Sequence, residues 1–130
     1  MAQPQGLLYS KEHEWANVDG GVATVGITEY AQNSLGDIVF VELPKVGAKV
    51  EQGANVGVVE SVKAVSDLFT PIGGEVVEVN GTLEDDPGLV NREPFAGGWM
   101  FKVKVADLEP QRANLLNAAA YEQFVAESEH

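Results

Sequence analysis

Cysteine is absent from this chain of 130 residues. Disulfides, thiol nucleophiles and thiolate metal sites are thereby excluded, and a reducing compartment fits. Cationic side chains are scarce: eight Lys and Arg stand against twenty Asp and Glu, for a formal net charge of −12. That balance repels phosphate backbones and anionic lipid, so no nucleic-acid and no membrane partner is expected. A basic patch on another protein would be met faster; the plainer role of the charge is solubility. No run of about twenty apolar residues occurs, so no helical span is expected. The start MAQPQGLLYSKEHEW lacks the basic and apolar regions of a signal peptide, which predicts a soluble, unexported product. The length suits a single domain over residues 1–130, burying about two-thirds of its unfolded surface.

The parts of an enzyme are also missing. Histidine occurs only as His13 and His130, and a lone His13 in KEHEW lacks the further ligands that zinc requires, so it reads as structural. Ser10, Ser34, Ser61 and Ser66 stand in no G-x-S-x-G context, and the GG pairs at 20, 73 and 97 lack a phosphate-binding fingerprint. EDD at 84–86 lacks the alternating ligand spacing of a calcium loop and reads as solvated. A hydrolase using Ser61 or Ser66 with His13 would require turnover by the unmodified protein. None is expected: the chain reads as non-catalytic and without a metal.

What is present is mainly β. The runs GVATVGI (21–27), DIVFVEL (37–43), NVGVVES (55–61), AVSDLF (64–69), GEVVEV (74–79) and WMFKVKV (99–105) are β-prone and punctuated by Gly, Pro, Asn and Asp. Their spacing predicts an antiparallel sandwich or barrel. Two segments depart from this. TEYAQNSLG offers Thr28 as N-cap and Gly36 as stop, a short helix near 28–35; NAAAYEQFVAE offers Asn117 as N-cap and an apolar face at Ala120, Tyr121, Phe124 and Val125, a helix at about 117–127. The final ESEH has little reason to be ordered. VGAKV (46–50) matches IGGEV (72–76), as two copies of one β-unit related by a pseudo-twofold axis would.

The segment ESVKAVSDLFTP raises a question. Val62 and Lys63 occupy the turn of an expected hairpin at 55–70, where tight turns ordinarily use Asn-Gly, Asp-Gly or Gly-X. An amine at the outermost point of a hairpin is hydrated and protonated at neutral pH, hence a poor nucleophile. It is nevertheless accessible to an enzyme that modifies lysine.

The surrounding text resembles the glycine cleavage system H protein family. ESVKA, preceded by GVV and followed by SDLFTPIGGEVVEVN, is similar to that family's lipoyl-attachment hairpin. YSKEHEW, GGVATVGITEYAQNSLGDIVFVELPKVG, PGLVN, GGWMFKVK and LLNAAAYEQF are similar to its other segments in the same order, from about Tyr9 to Phe124. The resemblance implies a flattened lipoyl/biotinyl-type antiparallel barrel-sandwich hybrid with lipoate in amide linkage on Lys63. It implies Glu60, Ser61, Val62, Ala64 and Gly74 as the context read by a lipoate-attaching enzyme, and Glu12, Glu14 and Asp67 as carboxylates of a cleft that shelters the arm. Other members carry a small hydroxyl residue at the position of Glu12.

By the same resemblance the arm, on the order of 10 to 15 Å long by bond lengths, serves three enzymes. They are a pyridoxal-phosphate glycine decarboxylase, a tetrahydrofolate-dependent aminomethyltransferase and dihydrolipoyl dehydrogenase. A monomer is expected, in a bacterial cytoplasm or, for a trimmed eukaryotic form, the mitochondrial matrix. A biotin carrier domain would flank its lysine with methionines, and 2-oxoacid dehydrogenase lipoyl domains usually read Asp-Lys-Ala; Val62 and Ala64 match neither. A relay handing lipoate to other complexes remains an alternative role.

Overall fold

The computed structural model describes residues 6–128. The chain runs β1 (Leu8–Tyr9), β2 (Glu14–Asp19), β3 (Val22–Ile27), α1 (Glu29–Leu35), β4 (Ile38–Glu42), β5 (Lys49–Val50), β6 (Asn55–Ser61), β7 (Val65–Phe69), β8 (Gly74–Val79), α2 (Thr82–Asp85), α3 (Leu89–Arg92), β9 (Phe101–Val105), α4 (Leu108–Arg112) and α5 (Ala118–Ser128). The strands form two antiparallel sheets, one six-stranded in the order β1-β2-β3-β9-β8-β5 and one three-stranded in the order β4-β6-β7.

Alternation explains how the sheets face each other. Ala23, Val25 and Ile27, spaced two apart along β3, are buried on one face, as are Val76 of β8 and Phe101 and Val103 of β9. Ile38, Val41, Val59 and Leu68 of the small sheet complete the same core. Burying a Val, Leu, Ile or Phe side chain contributes about 1.5–3 kcal/mol, so this core supplies most of the favourable term. A second cluster of Tyr9, Trp15, Ala118 and Tyr121 seats α5 against β1 and β2.

The two expected helices form with the expected caps. Thr28 Oγ1 accepts from the Ala31 N–H at 3.2 Å, and Gly36 ends α1 at φ 83°. Asn117 Oδ1 accepts from the Ala120 N–H at 2.8 Å at the start of α5. α5 continues to Ser128, so Glu127 and Ser128 of ESEH are helical, and the last two residues lie outside those described. EDD is likewise no plain loop: Glu84 and Asp85 belong to α2, and Asp86 pairs with Arg92.

The matching segments VGAKV and IGGEV lie side by side. Lys49 pairs with Glu75 and Val50 with Gly74, while the Val76 N–H donates to Ala48 O at 2.9 Å. Residues 49 and 75 are equivalent in the repeat and face each other, which is the register a local twofold axis produces.

Candidate functional site

The loop that joins β6 to β7 is Val62-Lys63-Ala64, and its geometry answers the question raised by its sequence. Among the described residues only His13 is a non-glycine with positive φ, so none of these three needs the left-handed region that selects glycine. A turn with negative φ at its central residues leaves N–H groups unmatched between twisted strands, and the Ser61 side chain takes them. Its hydroxyl accepts from the Lys63 N–H at 3.3 Å and the Ala64 N–H at 3.0 Å, while the Ser61 N–H donates to Ala64 O at 2.8 Å. Serine thus substitutes for a backbone acceptor. Ser61→Ala returns those amides to water at an exposed tip, so the expected loss is below about 1 kcal/mol, together with faster amide hydrogen exchange at Lys63 and Ala64. Urea titration and exchange mass spectrometry check both.

The tip is also held from the side. The Val62 N–H donates to Asp37 O at 3.0 Å, and a β-carbon on Gly36 would lie 3.5 Å from Lys63 Cε. The lysine stem therefore runs alongside Gly36, at ordinary contact distance. Asn91 secures this neighbouring segment: its Oδ1 accepts from the Ile38 N–H at 2.8 Å, and its Nδ2 donates to Gly36 O and to Gln32 Oε1, both at 2.9 Å. Asn91, within PGLVN, carried no functional signal in the sequence except its place in a family segment. Lys63 itself is exposed, and beside it Val62 and Val65 are 69% and 68% exposed.

A cavity of about 220 Å³ opens elsewhere on the surface, lined by Ser10, Glu12, Glu14, Gln52, Phe69 and Asn114 among others. Glu14 is its buried carboxyl, 2% exposed. Ser10 Oγ donates to Glu14 Oε1 at 2.7 Å, and the Phe69 N–H points at Glu14 Oε2 at 3.4 Å. Burial pushes the Glu14 carboxyl up to about 8; those two hydrogen bonds oppose the shift, and the Glu12 charge adds to it.

The folded protein therefore keeps a proton on Glu14 that the unfolded chain releases near 4.5. Between these values the unfolded state binds fewer protons. The stability is fully present at low pH and is lost as pH rises from about 4.5 toward 8, by up to about 1.4 kcal/mol per pH unit. Glu14→Gln should remove this decline, so that its melting temperature gains on the parent's from pH 5 to pH 8. Parallel melting profiles for the two proteins would contradict the assignment.

The structure brings Glu12 and Glu14 together at one cavity. Asp67 is not among that cavity's lining residues; it is exposed on β7 opposite Val58. By strand alternation it shares a face with Phe69, which does line the cavity, and stands one side-chain repeat nearer the hairpin tip. Glu60 pairs with Phe40 on one side and Val65 on the other, in a row just behind the tip. Gly74 is distant from the tip in the chain order, at the first position of β8 in the other sheet.

A rigid hairpin that presents one unobstructed lysine, buttressed by a neighbouring strand, is the arrangement of a protein that carries a covalently attached group. The comparisons specify which carriers it resembles. The sequence model described as "Glycine cleavage H-protein" matches residues 7–128. The glycine cleavage system H protein of Streptomyces avermitilis is 56% identical over 125 residues, covering 95% of this chain and 98% of the relative. That of Streptomyces coelicolor is 55% identical over the same length. A crystal structure of a glycine cleavage system H protein from Mycobacterium marinum superposes with a TM-score of 0.85 at 36% identity, covering 98% of this chain and 100% of that one. The chain belongs to the glycine cleavage H-protein family, whose members are lipoyl carriers.

Proposed function

We propose that Lys63 carries lipoate in amide linkage and that the protein serves glycine cleavage by presenting that arm in turn to glycine decarboxylase, aminomethyltransferase and dihydrolipoyl dehydrogenase. The observation that carries this reading is the exposed lysine on a glycine-free turn, in a chain of this family. The residues fit the group: the Lys63 stem runs alongside Gly36 and the amine end is exposed, free to take an amide-linked arm. When bound, lipoate supplies a redox-active disulfide that takes up the aminomethyl unit of glycine and can be reoxidised after the unit is passed on.

The protein's own residues hold and shelter. Ser61 and Asp37 fix the tip, so an attaching enzyme meets one conformation of Val62, Lys63 and Ala64, with Glu60 in the first row behind them. Asp67 stands four residues beyond Lys63, no more than roughly 13 Å along an extended strand. Its exposed carboxylate would attract a cationic amine on the carried group. Burial keeps Glu14 protonated at neutral pH, and an ammonium brought beside it would favour ionisation. Glu12, which lines the same cavity, adds a second carboxylate. Tethering then raises the local concentration of the carried unit at each enzyme without any catalysis by the carrier.

The test is the intact mass of the protein after incubation with ATP, lipoic acid and a lipoate ligase, followed by mapping of the modified peptide. One lipoyl adduct on Lys63, with glycine cleavage reconstituted by the three enzymes, is the expected result. Labelling of the same lysine by a biotin ligase in place of lipoate would overturn the choice of cofactor.

A further inference from the structure

The loop from Ser10 to Glu14 contains an unexplained choice of residue. The His13 N–H donates to Ser10 O at 3.1 Å and the Ser10 N–H to Glu14 O at 2.9 Å, which closes a tight turn followed by a left-handed residue, His13 at φ 69°. Glycine is the usual occupant of that position in a three-residue hairpin loop. A β-carbon there costs on the order of 1 kcal/mol, so the side chain must contribute something that glycine would not.

What it contributes is a grip. His13 Nδ1 is 2.8 Å from the Tyr121 hydroxyl, which in turn is 2.7 Å from Thr28 Oγ1. The imidazole packs against Tyr30 at 4.6 Å between ring centroids and against Tyr121 and Phe124 at 5.7 Å each. From the other side the Thr28 N–H donates to His13 O at 3.0 Å. The loop is thus held by its backbone to the start of α1 and by one ring to α5. The residues on either side of that ring, Glu12 and Glu14, line the 220 Å³ cavity, whereas no described residue of α5 lines it.

We propose that His13 is the positioning residue of the carboxylate cavity: α5, through Tyr121 and Phe124, clamps the His13 ring and thereby fixes Glu12 and Glu14 toward the cavity. The inference rests on the reading of this cavity as the shelter of the arm. It assigns α5 a purpose beyond covering the sheet. Ser10 closes the loop by itself, so a glycine at position 13 would keep the turn and lose only the clamp.

The experiment uses the unlipoylated protein, so a failure of lipoate attachment leaves its outcome readable. Glu14 is followed by carbon-13 NMR of its carboxyl through a pH titration. The groups facing it are Ser10 and Glu12 on its own loop, the Phe69 N–H on β7 and, on α5, the Tyr121 hydroxyl, whose pKa burial raises to about 12 so that it stays neutral where Glu14 titrates. Burial lowers the His13 pKa, so the imidazole is neutral where Glu14 titrates, and removing it removes no charge.

In His13→Gly the expected result is a folded protein whose Glu14 titrates about one pH unit or more below the parent, because a loosened loop admits water. Tyr121→Phe keeps the ring packing and deletes the hydroxyl, so it should shift Glu14 in the same direction by less; it also keeps the proposal testable if His13→Gly does not fold. A lowered melting temperature with an unchanged Glu14 titration in the folded variants would mean that His13 only stabilises the fold, and would overturn the proposal.

Discussion

Lys63→Arg is expected to fold like the parent and to support no glycine cleavage at all. The substitution keeps the charge and a long stem at an exposed position, where changes usually stay within about 0.5 kcal/mol. Its turn hydrogen bonds use the backbone N–H, which arginine also has. Chemistry alone separates the two: a guanidinium stays protonated with a pKa above about 12 and cannot form the amide that a lysine amine forms. Intact mass should show no lipoyl adduct, and the reconstituted three-enzyme reaction should fall to background. Residual turnover above a few per cent, with an adduct mapped to another lysine, would remove Lys63 from its assigned role. An adaptor acting only through its surface would work unchanged as the arginine variant.

Gly74→Ala is expected to cause a large loss of stability. A β-carbon at Gly74 would lie 2.0 Å from the backbone oxygen of Lys104 and 2.8 Å from Val103 Cγ1. The first of these is a backbone atom of a neighbouring strand and cannot rotate away. Relief would require parting β8 from β9 where Gly74 pairs with Val105 and Glu75 with Lys104. Gly74 also has φ 156°, a value that other residues adopt reluctantly.

Overpacking of this kind costs about 3 kcal/mol or more when backbone must move, which for a chain of this size is a fall of roughly 10 °C in melting temperature. Urea unfolding gives the magnitude, and a loss below about 1 kcal/mol would show that the strands can part cheaply. The same variant tests the proposed recognition role. If the lipoylation rate per folded molecule at low temperature equals the parent's, Gly74 acts on the attaching enzyme only through the fold.

Much of the fold could be read in advance because its signals are short-range. Thr28 and Gly36 mark α1, Asn117 marks α5, and the alternating runs mark the strands that form the two inner faces. β2 is not among the strands expected from the sequence: Glu14-Trp15 opens it with a buried carboxyl beside a large aromatic, and apolar alternation covers only Ala16-Asn17-Val18-Asp19. It is a strand because six of its residues pair with β3. β5 is two residues long and exists through its partner β8. The four-residue helices α2 and α3 are too short for any periodic pattern.

The chain alone determined the family, the lysine at the hairpin tip and the absence of any cysteine thiol, because these depend on which residues occur and in what order. Tertiary structure decided the rest of the site. Glu14 is held protonated only because folding buries it, and Asp37 and Gly36 meet the hairpin only because β4 pairs with β6, while Asn91 reaches their segment from α3. His13 reaches its hydroxyl partner across 108 residues of chain. Such contacts carry no local periodicity, and neither the burial that shifts a carboxyl nor the ring that clamps a loop exists until distant segments have packed.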